Sequence, residues 1–321
     1  MNKIQYLLKR YTESNHYSLH GALWMIIAGM TFAGANVLTP LISEKFEISS
    51  GWIAFYQYFF ALLFMSPFFM KLGIKKILYT RHFMTHFWRI LMAVIGIQFW
   101  VKALSIQFPI GEGVALLMTS PLFASLGAFL FLKERFTPAR VIATILGFMG
   151  AIIILAPNSQ NFNAAAIFPI LAAFFWAMHA LLMKHLSDKD HPLTMVSYLY
   201  ILMVPINLVV ALTDNFSHTP DQFFIPDMDL LFGLLLLGLL TAIAQYAVAK
   251  AYAHADVIFI QPFDYLKLPL NTFLGWIVFG WAVTNQFWIG AIIMVSSLLA
   301  ISYFEIKKNR NTPKKINNTA A

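Results

Sequence analysis

Cysteine is absent from all 321 residues, which excludes disulfides, thiolate metal centres and cysteine nucleophiles. Charge is scarce too. Only 11% of residues are Asp, Glu, Lys or Arg, less than half of the roughly 25% usual in soluble domains. No Walker, GxSxG or HExxH pattern occurs, which argues against an ATP-driven pump or a hydrolase of those types. Apolar residues fill the space instead, at 60% of the chain with a mean hydropathy of +0.70. Such a sequence encodes an all-α polytopic membrane protein whose first partner is the lipid bilayer. A net charge of +8 would suit nucleic acid, but the basic residues sit in short loops and tails. Topology accounts for them, and no nucleic-acid partner is expected.

Ten apolar spans are expected, at about His20–Pro40, Gly51–Met70, Phe83–Gln107, Gly113–Leu132, Ala139–Ala156, Ala164–Lys184, Leu193–Thr213, Leu230–Lys250, Val257–Trp281 and Phe287–Phe304. Residues 1–19 read as a short basic tail, and 306–321 as a basic carboxy-terminal tail. Ala33-Gly34-Ala35 resembles a signal-peptidase site, yet cleavage there would destroy one half of a repeat. With the amino terminus inside, 19 of the 22 basic residues fall in inside segments, Arg89 being counted with the basic segment between spans 2 and 3, and Lys45 is the one in an outside loop. Lys102 and Lys267 lie within spans. Basic residues favour the cytoplasmic side, so both termini are expected in the cytoplasm and the 214–229 loop outside.

The ninth span carries Asp264 and Lys267 near its middle, with Pro262 and Pro269 on either side. At ~1.5 Å per residue, Lys267 lies roughly 15 Å deep, about the midplane of a ~30 Å hydrocarbon core. A charge there costs at least ~2.5 kcal/mol. Residues three apart share a helix face, so Asp264 and Lys267 can neutralise one another. Gln261, Asp264, Lys267 and Asn271 form one polar stripe, which must face protein or water. It serves either as a clamp between helices or as the lining of a substrate cavity. Each proline leaves a carbonyl one turn earlier without its amide partner, and broken backbone at this depth is tolerated where it lines a cavity or is buried in protein.

An offset of 148 residues lays Lys102-Ala103 over Lys250-Ala251, Pro121 over Pro269 and Gly127 over Gly275; an offset of 144 lays Ala33 over Ala177. Two halves of five spans each, residues 20–157 and 164–305, must be inverted relative to one another, a common build of secondary transporters. The run from Glu112 to Pro157, EGVALLMTSPLFASLGAFLFLKERFTPARVIATILGFMGAIIILAP, resembles the EamA branch of the drug/metabolite transporter superfamily. AKAYAHADVIFIQPFDYLKLPLNTFLGW is similar to its span 8–9 segment. The resemblance covers residues 20–305 and lies nearest to S-adenosylmethionine and riboflavin carriers. It implies ten helices in two inverted EamA-type repeats. Two departures stand out: Phe279-Gly280-Trp281-Ala282 lacks the acid that would match Glu134, and Lys267 stands where an uncharged polar residue is expected.

Further polar groups within apolar spans are Gln57, Gln98, His179, Gln245, Asn36 and Asn207. Each is either a helix–helix contact worth ~0.6 kcal/mol or a ligand contact. His82 and His86 share a helix face, but no third ligand accompanies them in sequence and no metal is expected. The reading is a carrier in the bacterial inner membrane that moves a small organic metabolite by alternating access, without cofactor or covalent catalysis. Asp264 suits an amine or sulfonium and Lys267 a carboxylate, with Gln261, Tyr265 and Asn271 beside them and Gln57, His179 and Gln245 as further candidates. S-adenosylmethionine or an amino-acid-like zwitterion fits such a site. Export of amphipathic aromatic compounds is the alternative, and a non-transporting scaffold or receptor the alternative of another class. A coupling proton or counter-substrate is compatible with Asp264, and the oligomeric state is open.

Overall fold

The computed structural model describes residues 3–73, 78–132, 138–155, 163–186, 189–190, 192–213, 227–254 and 263–311. These residues are helical apart from short connections, and no strand occurs among them. Seven helices are long and apolar enough to cross a bilayer, and Val141–Leu155 and Asn285–Ala300 are shorter apolar helices. Span 9 completes the ten with Lys267–Phe279. Residues 255–262, including Gln261 and Pro262, lie outside the described residues, as does Glu134.

Three details differ from the sequence reading. The first helix runs back to Lys3 and ends at Phe46, although the apolar span within it starts at His20. Span 4 is two helices, Ile110–Leu117 and Ser120–Leu132. The cause is Pro121, which supplies no amide to the Leu117 carbonyl; Thr119 donates its hydroxyl to Leu116 O at 2.7 Å in the gap. Span 9 turns at Tyr265 and Leu266, one residue earlier in register, because Pro269 has no amide to offer Tyr265 O, which accepts from Leu268 N at 3.1 Å instead. Third, Arg89 belongs to no loop. It lies within the helix Phe83–Ser105 and is 1% exposed.

Packing follows the two-fold logic of the repeat. Span 1 packs most heavily on span 8, and span 3 on span 6, which is the same pair with the halves exchanged. Spans 2 and 7, 4 and 9, and 5 and 10 pair with their own counterparts. Each half therefore completes the other, and neither presents a closed core alone. Spans 5 and 10 meet backbone to backbone: a methyl on Gly150 would lie 2.7 Å from Gly290 O, and one on Gly290 would lie 2.6 Å from Gly150 O. Only glycine permits that approach, the usual device for close helix contact in lipid.

Candidate functional site

Span 9 turns the described part of its polar stripe, Asp264, Lys267 and Asn271, toward span 1, which links it in turn to span 3. Lys267 Nζ donates to Asp264 Oδ2 at 2.7 Å, and both side chains are 29% exposed. One turn further on, Asn271 is 1% exposed; its amide donates to Lys267 O at 2.6 Å. Its Oδ1 accepts from Asn36 Nδ2 of span 1 at 2.8 Å, and Asn36 Oδ1 accepts the Trp100 indole N–H of span 3 at 3.1 Å. Lys267 and Leu270 pack over Gly29 of span 1. Three spans thus converge on one chain of hydrogen bonds that starts at an ion pair and ends on an aromatic ring. Tyr265 is buried beside it.

The other candidates do not join this chain. Gln57 of span 2 is buried and donates to Thr241 Oγ1 of span 8 at 3.0 Å, while its Oε1 is buried without a partner. Gln245 lies one turn beyond Thr241 on span 8, half-buried, with no hydrogen bond to a described residue. His179 of span 6 meets Arg89 O at 3.0 Å through Nδ1. A carbonyl only accepts, so Nδ1 carries the proton there. Gln98 and Asn207 bond across spans 3 and 7 at 2.8 Å.

A second polar cluster, away from the stripe, gathers residues that sequence reasoning left apart. His86 is fully buried; its Nε2 lies 2.8 Å from Asp190 Oδ2, which also accepts from Thr80 Oγ1 at 2.7 Å. Arg89 donates to Met195 O at 2.8 Å and lies 3.4 Å from His86 Nδ1. That guanidinium has no lone pair, so Nδ1 is bare and Nε2 donates to Asp190. The His86 ring stacks on Tyr198 with centroids 4.5 Å apart, and Tyr198 donates to Leu78 O at 2.9 Å. The acid missing beside His86 in sequence is therefore Asp190, 104 residues away, and among the described residues no three ligands converge on a metal position. The cluster stitches spans 3 and 7 together at one end. Lys45 and Asp229, paired at 3.3 Å, mark the opposite end.

Burial by itself would raise the Asp190 carboxyl, but hydrogen bonds from Thr80 and His86 outweigh it and the group ends below its ordinary value. A depressed carboxylate adds stability above its unfolded pKa of about 3.9 and loses it as pH falls through the folded value. Thermal unfolding of the purified protein between pH 7 and pH 3 is expected to fall more steeply for the wild type than for Asp190→Asn. Parallel pH profiles would show that Asp190 contributes nothing through ionisation.

The EamA-like transporter family's profile matches the chain twice, over residues 19–156 and 163–303. A riboflavin transporter of Vibrio cholerae is 46% identical over 296 residues, covering 92% of this chain and 97% of the relative. A riboflavin transporter of Rhizobium johnstonii is 42% identical, covering 90% of this chain and 93% of its own length. An S-adenosylmethionine uptake transporter of Rickettsia bellii is 27% identical, covering 91% and 96%. One solved crystal structure, 15% identical, superposes with a TM-score of 0.59 over 93% of this chain and 99% of that one, a likeness of fold. Ten helices in two exchanged halves, a polar stripe in a proline-broken span and a family profile matched once by each half agree: the chain belongs to the EamA-like transporter family and is a transporter of small metabolites, not an enzyme.

Proposed function

We propose that this protein carries riboflavin across the bacterial inner membrane by alternating access, with both termini in the cytoplasm. The observation that carries the reading is graded likeness: 46% and 42% identity to two riboflavin transporters over nearly their full lengths, against 27% to an S-adenosylmethionine transporter. The stripe supports it chemically. Asp264 and Lys267 are bonded to each other, so the site offers no net charge to attract a cationic sulfonium. Riboflavin is an uncharged fused ring with an imide edge of two carbonyls around an N–H. The part-exposed Lys267 ammonium and Asp264 carboxylate supply donors for the two carbonyls and an acceptor for the N–H of that edge.

S-adenosylmethionine is the second reading, favoured by the presence of one acid and one base side by side, which would have to part to grip a zwitterion. Proteoliposomes containing the purified protein separate the two. Saturable uptake of labelled riboflavin, unaffected by excess S-adenosylmethionine, is the expected result. Uptake of labelled S-adenosylmethionine without riboflavin uptake would reverse the assignment.

A further inference from the structure

At the end opposite the Lys45–Asp229 pair, the turn before span 3 and the turn between spans 6 and 7 enclose a pocket of about 400 Å³. Its walls include Tyr79, Thr80, Arg81, His82, Lys189 and Thr194. Three observations give it a chemical preference. Arg81 is exposed and has no partner among the described residues, while Lys189 lies 2.7 Å from His185 Nε2 and pairs with no acid among the described residues. Thr194 is 4% exposed, yet its hydroxyl has no hydrogen-bond partner among the described residues. Asp190, the acid in the wall, is already engaged by Thr80 and His86 through Oδ2. Two cations without an acid partner among the described residues and a hydroxyl donor therefore face one concavity.

From this arrangement we infer that the pocket binds a phosphate group, with Arg81 and Lys189 supplying charge and Thr194 a hydroxyl donor. A guanidinium fork matches phosphate oxygens in pairs, and an ammonium adds a point charge. The surroundings suit the headgroup of an anionic phospholipid. Phe83 and Met84, 46% and 68% exposed, open the lipid-facing flank of span 3 directly after Arg81 and His82, and Tyr79 is 72% exposed beside them. Tyrosine at the headgroup level and a basic pocket between spans are the usual elements of such a site. Free inorganic phosphate carries the same chemistry without the chains. The inference does not depend on the identity of the cargo.

The test uses the full chain and thermal unfolding as readout, in two arms. In the first, the protein sits in nanodiscs of phosphatidylcholine with or without phosphatidylglycerol; in the second, it is in detergent and is titrated with inorganic phosphate. Arg81→Gln with Lys189→Gln is compared with Lys45→Gln with Lys102→Gln, which removes the same charge elsewhere. A rise in midpoint for wild type and the control pair, at least halved in the Arg81 and Lys189 variant, is the expected result. Seen only with phosphatidylglycerol, it identifies a lipid headgroup; seen with inorganic phosphate, it identifies a free-phosphate site. No rise in wild type in either arm, or an equal rise in all three proteins, would overturn the inference.

Discussion

Asp264→Asn is expected to lower stability by about 3 kcal/mol, because it leaves the Lys267 ammonium without its carboxylate inside the membrane span. The lower end of the range for breaking buried pairs applies, since both side chains keep 29% exposure. Lys267→Met should do similar damage by stranding Asp264. The two losses must not add. With both charges removed, the site contains an amide and a thioether, and the uncompensated-charge penalty has no source. Thermal unfolding of the two single variants and the double variant measures the coupling directly. A double variant that recovers most of the loss establishes the pair as an energetic unit. Additive losses would mean that the 2.7 Å contact contributes nothing.

The other large effect belongs to Arg89. Its guanidinium is 1% exposed, donates to Met195 O of span 7, faces His86 and leaves Nε without a partner. Arg89→Ala removes the donor from the Met195 carbonyl, empties the space of a long side chain and isolates the His86–Asp190 pair. A loss of about 3–5 kcal/mol follows from breaking such a buried charged network. Arg89→Met keeps the volume and removes the charge, and should lose much less, because well-packed apolar replacements of buried ions are often tolerated. Equal midpoints of thermal unfolding for both substitutions would mean that the guanidinium itself, and not the volume it fills, carries the stabilisation, and would contradict the expected tolerance of Arg89→Met; no loss in Arg89→Ala would remove Arg89 from the packing account altogether.

Much of this architecture is written locally, and what is local was legible. Hydropathy marks the spans because lipid tolerates no unsatisfied backbone. Asp264 and Lys267 meet because residues three apart share a face. Pro121 and Pro269 foretell the interrupted backbone at Met118–Thr119 and Tyr265–Leu266. What escaped depends on chain segments far apart. Trp100 reaches Asn36 across 64 residues, and His86 reaches Asp190 across 104; neither partner has a periodicity that announces the other. Arg89 reads as a loop charge under the positive-inside rule, and only the packing of span 3 against spans 6 and 7 places it in the interior. Gln57 and Gln245 look alike in sequence, yet one is bonded to Thr241 and the other has no bonded neighbour among the described residues.

We propose that the stripe on span 9 contacts the cargo and does not merely clamp helices. Riboflavin uptake into proteoliposomes containing the Asp264→Asn, Lys267→Met double variant tests it most directly, once that variant is shown to be folded and inserted. If the stripe is the binding site, uptake falls at least tenfold although stability is retained, because the donors of Lys267 and the acceptors of Asp264 have gone together. Unchanged uptake with unchanged apparent affinity would contradict the claim, reduce the pair to a clamp and move the search to Gln57, His179 and Gln245.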